Sequence, residues 1–238
     1  MKLALIGYGK MGKTIEKIAR ERGHEIVSII DVNNLEDFDS ENFKQADVAI
    51  EFTNFKSALN NYKKAFEHNI PVVSGTTGIN DGLPLLKKEV EKNGYTFLWS
   101  SNFSLGVNIL LAVNKYLSNI MNQFSEYDVN ITEIHHTQKL DTPSGTAITL
   151  AEGIIEKLNR KKKWVKDVQK NSDEIAIQSI RTDDVPGIHT VRYESKIDTI
   201  EITHNAKNRD GFAVGAVLAA EFLAGKKGWF TMADLLKF

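Results

Sequence analysis

From Glu133 to Ala147 the chain reads Glu-Ile-His-His-Thr-Gln-Lys-Leu-Asp-Thr-Pro-Ser-Gly-Thr-Ala, with two adjacent imidazoles and an ammonium just ahead of a helix start. A histidine titrates near neutral pH, so His135 or His136 can act as a general acid. Thr142 can cap the helix and Pro143 suits its first position. Ser144, Gly145 and Thr146 then offer unpaired N–H groups; Gly145 lets a ligand come close, and Thr146 adds a hydroxyl donor. That makes a carboxylate-binding cradle, and cations beside a helix N-terminus suit a small dianionic substrate. A metal is the competing use of a His-His pair, but adjacent side chains in an extended segment point to opposite faces. No nearby carboxylate completes an obvious ligand set, so no metal is expected.

A second chemistry-bearing segment lies near the N-terminus. Gly7-Tyr8-Gly9-Lys10-Met11-Gly12 matches G-x-G-x-x-G and directly follows the apolar run Leu3-Ala4-Leu5-Ile6. Gly7 permits the tight turn, Gly9 lets the backbone approach a pyrophosphate, and Gly12 lets helix and strand pack closely. Asp31 closes the next strand about twenty residues on, where a carboxylate would bind a ribose 2′-hydroxyl. It should repel a 2′-phosphate, and no arginine follows it, only Val32-Asn33-Asn34. The expected cofactor is therefore NADH in preference to NADPH, although Lys10 could reach a phosphate.

These segments need elements to hold them. Leu3 to Ile6, Glu25 to Ile30, Val48 to Phe52, Pro71 to Val73 and Thr96 to Trp99 read as short strands. Helical spacing fills Lys10 to Arg22, Ser57 to Glu67 and Leu83 to Lys92 between them. That rhythm predicts an α/β fold, a Rossmann-type doubly wound parallel sheet. After about Ser104 the pattern changes. Val107 to Phe124 reads as one long helix, Asp128 to His135 as a strand, and Pro143 to Leu158 as a helix. The charged stretch 159–173 reads as an exposed loop. Three strand-like runs follow, giving a second, α+β domain with a largely antiparallel sheet. Gly211 to Ala224 is a final helix, followed by a short tail. The expected division is 1–103 plus 211–238 for the dinucleotide and 104–210 for substrate binding and oligomerisation.

Composition narrows the class. With 238 residues the chain is comfortable as two domains. Thirty basic and thirty-one acidic residues give a formal charge of −1, so no overall field steers it to nucleic acid or an anionic membrane. Zero cysteines rule out disulfides, thiolate zinc sites and a cysteine nucleophile. Neither a signal peptide nor a membrane span is expected, and a cytoplasmic location follows as the default.

The segment from Glu133 to Ala147 resembles the signature E-x-H-H-x-x-K-x-D-x-P-S-G-T-A of the dihydrodipicolinate (4-hydroxy-tetrahydrodipicolinate) reductase family, with every fixed position filled. The glycine loop, Ser74-Gly75-Thr76-Thr77-Gly78, Ser101 to Asn108, Ile202-Thr203-His204 and Arg209 to Ala216 are similar to the same family. The resemblance implies that His135 is the catalytic acid/base and Lys139 a second proton donor. His136, Gly145 and Thr146 would hold the substrate carboxylates, with Arg209 as a helper. Gly75, Thr76 and Thr77 would line the nicotinamide side with Ser100, Ser101, Asn102 and Phe103. It further implies reduction of a cyclic imine dicarboxylate by NAD(P)H in lysine and diaminopimelate synthesis, and a homotetramer built through the second domain's sheet. Two other readings use the same residues: another two-domain Rossmann oxidoreductase of a small carboxylate, or a non-catalytic NAD(P)H sensor. The sensor leaves the cationic cradle without a purpose.

Overall fold

Leu3, Ala4 and Leu5 are fully buried, as a run apolar on both faces must be, and they make β1 (Lys2–Ile6) a central strand. The computed structural model describes residues 1–182, 184–208 and 210–237. After β1 come α1 (Lys10–Glu21), β2 (Glu25–Ile30), α2 (Glu41–Lys44), β3 (Val48–Glu51), α3 (Ala58–Glu67), β4 (Val72–Ser74), α4 (Leu83–Asn93) and β5 (Thr96–Trp99). On α1 the buried positions Gly12, Ile15, Ile18 and Ala19 recur at helical spacing and form one stripe against the sheet.

The second part of the chain holds α5 (Leu105–Ile120), β6 (Asp128–His135), α6 (Gly145–Lys157), β7 (Lys163–Lys166), β8 (Glu174–Arg181), β9 (Gly187–Glu194) and β10 (Thr199–Ala206). Then come α7 (Asp210–Leu223), β11 (Gly228–Phe230) and α8 (Met232–Leu236). The chain divides into two compact units, Met1–Leu105 with Asp210–Phe238, and Gly106–Arg209. Among the described residues no helix is long and apolar enough to cross a membrane.

In the first unit six parallel strands run in the order β11-β5-β4-β3-β1-β2. This is the doubly wound Rossmann sheet the sequence predicts. The tail after α7 is not a loose end, however. Gly228, Trp229 and Phe230 pair with Thr96, Phe97 and Leu98 as a sixth strand, and Trp229 packs its ring 5.0 Å from that of Phe97. Helix α7 is rich in small residues and sits close to its neighbours. A Cβ on Gly215 would lie 1.8 Å from the Phe103 carbonyl oxygen.

The second unit holds five strands in the order β10-β9-β6-β8-β7. The sheet is mixed rather than largely antiparallel. β10, β9 and β6 are antiparallel, whereas β6–β8 and β8–β7 are parallel. The parallel half follows from α6, which carries the chain back across one face before β7 and β8 are laid down. Helices α5 and α6 supply Leu110, Ala147, Leu150, Ala151 and Ile154 to a core with Val129, Ile131, Ile175, Ile177, Val191 and Tyr193.

The stretch 159–173 is likewise not just an exposed loop. It contains the edge strand β7, whose Lys163 and Lys166 face outward as charges on edge strands do. Lys161 is buried, donating to the carbonyls of Ser172 at 2.8 Å and Glu174 at 2.6 Å and pairing with Asp128. Charge run and strand therefore coincide, and one lysine of the run works inside.

Candidate active site

Parallel strands place every strand-to-helix loop of the first unit at the same sheet edge. Gly7 to Gly12 follow β1, Asp31 follows β2, Gly75 to Thr77 follow β4 and Ser100 to Phe103 follow β5. Strand order reverses between β1 and β3, the switch point where open α/β sheets bind ligands. A cleft of ≈ 400 Å³ opens there, lined by Gly7, Tyr8, Gly9, Asp31, Thr53 and Lys64 among others. Gly7 has φ +92°, and a Cβ on it would meet the Phe52 carbonyl oxygen at 2.2 Å. A Cβ on Gly12 would be 2.2 Å from the Gly7 oxygen, so helix and turn touch through bare backbone. A Cβ on Gly9 would have nothing within 4 Å, which leaves the backbone there open to a close-approaching group at the start of α1. Those features fit a dinucleotide.

Other residues named from the sequence sit differently. Asp31 is exposed, its carboxylate accepting from the Val32 N–H at 2.8 Å. Lys10 is exposed and Met11 packs on the core of the unit. Gly75 makes room for Phe52, whose ring would stand 2.1 Å from an added Cβ. Thr76 turns inward: its hydroxyl donates to the buried Glu51 at 3.0 Å and accepts from the Thr53 N–H at 2.9 Å. Glu51 also accepts from Ser74 at 2.6 Å and from Thr53, tying the loops after β3 and β4 together. Thr77 and Ser101 are exposed. Ser100 and Asn102 brace their own turn, the Ser100 hydroxyl accepting from the Asn102 N–H at 3.1 Å. Phe103 is buried against Phe52 at 5.7 Å, so its side chain belongs to the core.

In the second unit the alternation of β6 sends Val129, Ile131, Glu133 and His135 to the helix-covered face. Register puts Glu133 opposite His189 of β9, and His135 opposite Arg181 of β8. Glu133 is fully buried and accepts from the Ser144 N–H at 3.1 Å to both oxygens and from Arg181 at 3.1 Å. His135 Nε2 lies 3.5 Å from the same carboxylate. Burial alone would raise the Glu133 pKa, but hydrogen bonds from His135, Ser144 and Arg181 outweigh it and hold the carboxyl well below the usual range. Burial, with the charge of His135 beside it, pushes the His189 imidazole down to about 4.

The helix start differs from expectation in two respects. Its cap is Ser144, whose hydroxyl accepts from the Ala147 N–H at 3.3 Å, while Thr142 precedes a cis peptide to Pro143. The Ser144 N–H is taken by Glu133, so the open donors begin at Gly145, where nothing lies within 4 Å of an added Cβ. Lys139 pairs with Asp141 at 2.8 Å, and its N–H closes a turn on the His136 carbonyl at 3.1 Å. Glu133 also corrects the expectation that no carboxylate stands near the histidines. Ligand atoms of Glu133, His135 and His189 lie within 4.8 Å of one another. Glu133 already holds the Arg181 guanidinium, which a dication would have to displace, so the donor set fits hydrogen bonding better than a metal.

Two family models cover nearly all of this chain: dihydrodipicolinate reductase, N-terminus, over residues 1–103, and the C-terminus over residues 106–236. The chain belongs to the dihydrodipicolinate reductase family. It is 50% identical over 236 residues to the 4-hydroxy-tetrahydrodipicolinate reductase of Christiangramia forsetii, covering 99% of this chain and 98% of that one. The enzyme of the same name from Caldanaerobacter subterraneus subsp. tengcongensis is 36% identical over 242 residues, covering 96% and 95%. A dipicolinate-bound dihydrodipicolinate reductase from Paenisporosarcina sp. TG-14 shares the fold at a TM-score of 0.77, with 23% identity over 97% of each chain.

Within this reductase fold the sequence singled out His135, His136, Lys139, Gly145 and Thr146, and all five lie on β6, the turn after it and the start of α6. Arg209 lies outside the described residues. Sequence reading missed Glu133, Arg181 and His189 as partners of His135. Period-two alternation carried the signal, because a carboxylate and an imidazole on inward positions must find polar partners.

Proposed function

We propose that the chain carries out its family's reaction through the residues gathered around His135 and the start of α6. That reaction is the NAD(P)H-dependent reduction of 4-hydroxy-tetrahydrodipicolinate to tetrahydrodipicolinate in lysine and diaminopimelate synthesis. When bound, the nicotinamide supplies the hydride. The chain's own residues bind, orient and hold the proton. In this reading His135 is the proton donor and Lys139 the second, while His136 and the open N–H groups of Gly145 and Thr146 hold the carboxylates. One observation carries it: Glu133 contacts the His135 ring and also accepts the Ser144 N–H, so acid and cradle share one buried anchor. Cationic groups next to a helix N-terminus favour a dianion and stabilise charge developing on the substrate ring.

The finer assignments follow the same residues. The loop Gly7 to Gly12 with Asp31 would hold the adenosine and pyrophosphate end. The loops Gly75 to Thr77 and Ser100 to Phe103 would lie along the nicotinamide side, with exposed Thr77 foremost because both the hydroxyl and the N–H of Thr76 are engaged. Exposed Asp31 at the cleft supports NADH over NADPH. A homotetramer is supported by the uncovered face of the second sheet, where exposed Ile180 lies beside Ile134, itself opposite Ile188. Membership of a biosynthetic route supports a cytoplasmic location.

The test is a coupled assay with the synthase that makes the cyclic substrate, following loss of the nicotinamide absorbance. Pyridine-2,6-dicarboxylate should inhibit competitively, and a pyridine with one carboxylate should bind more weakly. Thr146→Val removes one donor and should weaken the dicarboxylate by roughly ten- to a hundred-fold. Equal affinity for both pyridines would remove the cradle.

A further inference from the structure

We propose that His189 is a positioning residue, holding the His135 imidazole and the start of α6 in one register from a point buried between them. The inference rests on the function proposed above. On the helix-covered face of the second sheet, Val129, Ile131, Ile177, Val191 and Tyr193 are apolar and fully or almost fully buried. One step further along the strands the same face turns polar, with Glu133 paired to His189 and His135 to Arg181. Such a layer must satisfy itself from within.

His189, like Glu133, touches both halves, and it does so through a single atom. Its Nε2 lies 3.3 Å from His135 Nε2 and 3.1 Å from the Ser144 hydroxyl, which in turn caps α6. The two rings meet edge to face at 5.0 Å and 70°. Gly187, two residues earlier on β9, has no Cβ; one there would stand 2.8 Å from His135 Cε1, so the ring rests against bare backbone. His135 is therefore gripped from β9 on one side by an imidazole and on the other by a gap that only glycine leaves. The other nitrogen of His189, Nδ1, is buried with no partner among the described residues. A leucine would fill the same space without that unsatisfied atom, so the advantage of an imidazole here must come through Nε2. The ring stays neutral near pH 7, which lets it orient His135 without setting a second charge beside it.

The experiment compares His189→Phe, His189→Gln and His189→Asn with the wild-type enzyme. Turnover and KM are read in the synthase-coupled assay, and pyridine-2,6-dicarboxylate and NADH binding by calorimetry. Phenylalanine keeps the ring and loses Nε2. It should lower kcat by roughly ten- to a hundred-fold, the scale of a misplaced catalytic group, and weaken the dicarboxylate about ten-fold. NADH affinity should stay within about two-fold, since its residues are in the other unit. Glutamine can set its amide where Nε2 was and should restore most of both losses; asparagine, too short to reach, should not. A purely structural role predicts lower melting temperatures with kcat, KM and dicarboxylate affinity unchanged, and that result overturns the proposal. If the phenylalanine variant does not fold, the glutamine–asparagine pair decides, and equal behaviour of those two overturns it. Wild-type protein that binds the dicarboxylate but does not turn over refutes the proposed function instead, and the binding arm still reports on His189.

Discussion

Lowering the pH from 7 to 5 should cost the second unit about 1.5–2 kcal/mol through His189 alone. The ordinary imidazole value is 6.5, and in the folded chain His189 is held at about 4. Between those values the unfolded chain binds the proton and the folded chain does not, so stability rises with pH through this window. The contribution is fully present above about 6.5 and is lost as the pH falls towards 4. At pH 5 nearly every unfolded ring is charged against about one folded ring in ten. Over the roughly 1.5 units between the unfolded value and pH 5, at 1.36 kcal/mol per unit, that difference gives the figure above. Glu133 and Glu174 titrate lower, the first held well below the usual range and the second at about 2, so acid loss from carboxylates belongs to more acidic solution. His204 is also lowered by burial and adds to the loss with the same sign. His189→Gln separates the two. Hydrogen exchange of peptides covering β6 and β9, corrected for intrinsic rates, reads the stability of this unit at pH 5, 6 and 7. An equal loss of protection in wild type and His189→Gln would refute the argument.

Other outcomes follow from the site and the fold. His135→Gln should lower kcat by roughly 10²–10⁴-fold, the usual worth of a general acid, with NADH affinity by calorimetry near wild type; near-normal turnover would take His135 out of the chemistry. NADH should give a higher kcat/KM than NADPH, and Asp31→Ala should narrow the gap. A clear NADPH preference in the wild type would mean that Lys10 or Lys64 outweighs the repulsion. Gly215→Ala forces a methyl into the Phe103 carbonyl and should destabilise the first unit by about 1–3 kcal/mol, seen as a lower thermal midpoint. An unchanged midpoint would show that α7 can slide without penalty.

The first unit was legible because its signals are local. Leu3 to Ile6, the glycine loop and Asp31 follow one another within about thirty residues, and each has a backbone reason to be what it is. The chemistry-bearing stretch from Glu133 to Ala147 was equally visible. What surrounds it was not, because His189 and Arg181 reach His135 through strand register, and register between distant strands leaves no mark on spacing. The mixed sheet went unread for a related reason: pairing β6 with β8 in parallel depends on where α6 crosses. Stretch 159–173 misled through its lysines, since an edge strand and a solvated loop share the same charged composition. The cap moved from Thr142 to Ser144 because Glu133, eleven residues back, claims the Ser144 N–H.

The first unit is made from two separated stretches of chain, and that imposes an order on its birth. Helix α7 covers β3, β4 and β5 and packs beside α1, and Ala213, Ala216, Val217, Ala220 and Leu223 complete the core begun by Leu3, Leu5, Val48 and Ile50. A ribosome adds about 5–20 residues per second. Residues 106–209 therefore impose a wait of about 5–20 s in which the nascent sheet shows a bare apolar face and an unpaired β5 edge. In that interval the young chain is a client for chaperones and a hazard to its siblings on the same message. The inserted unit has every strand it needs in one continuous piece, so it can finish folding before the part that began first.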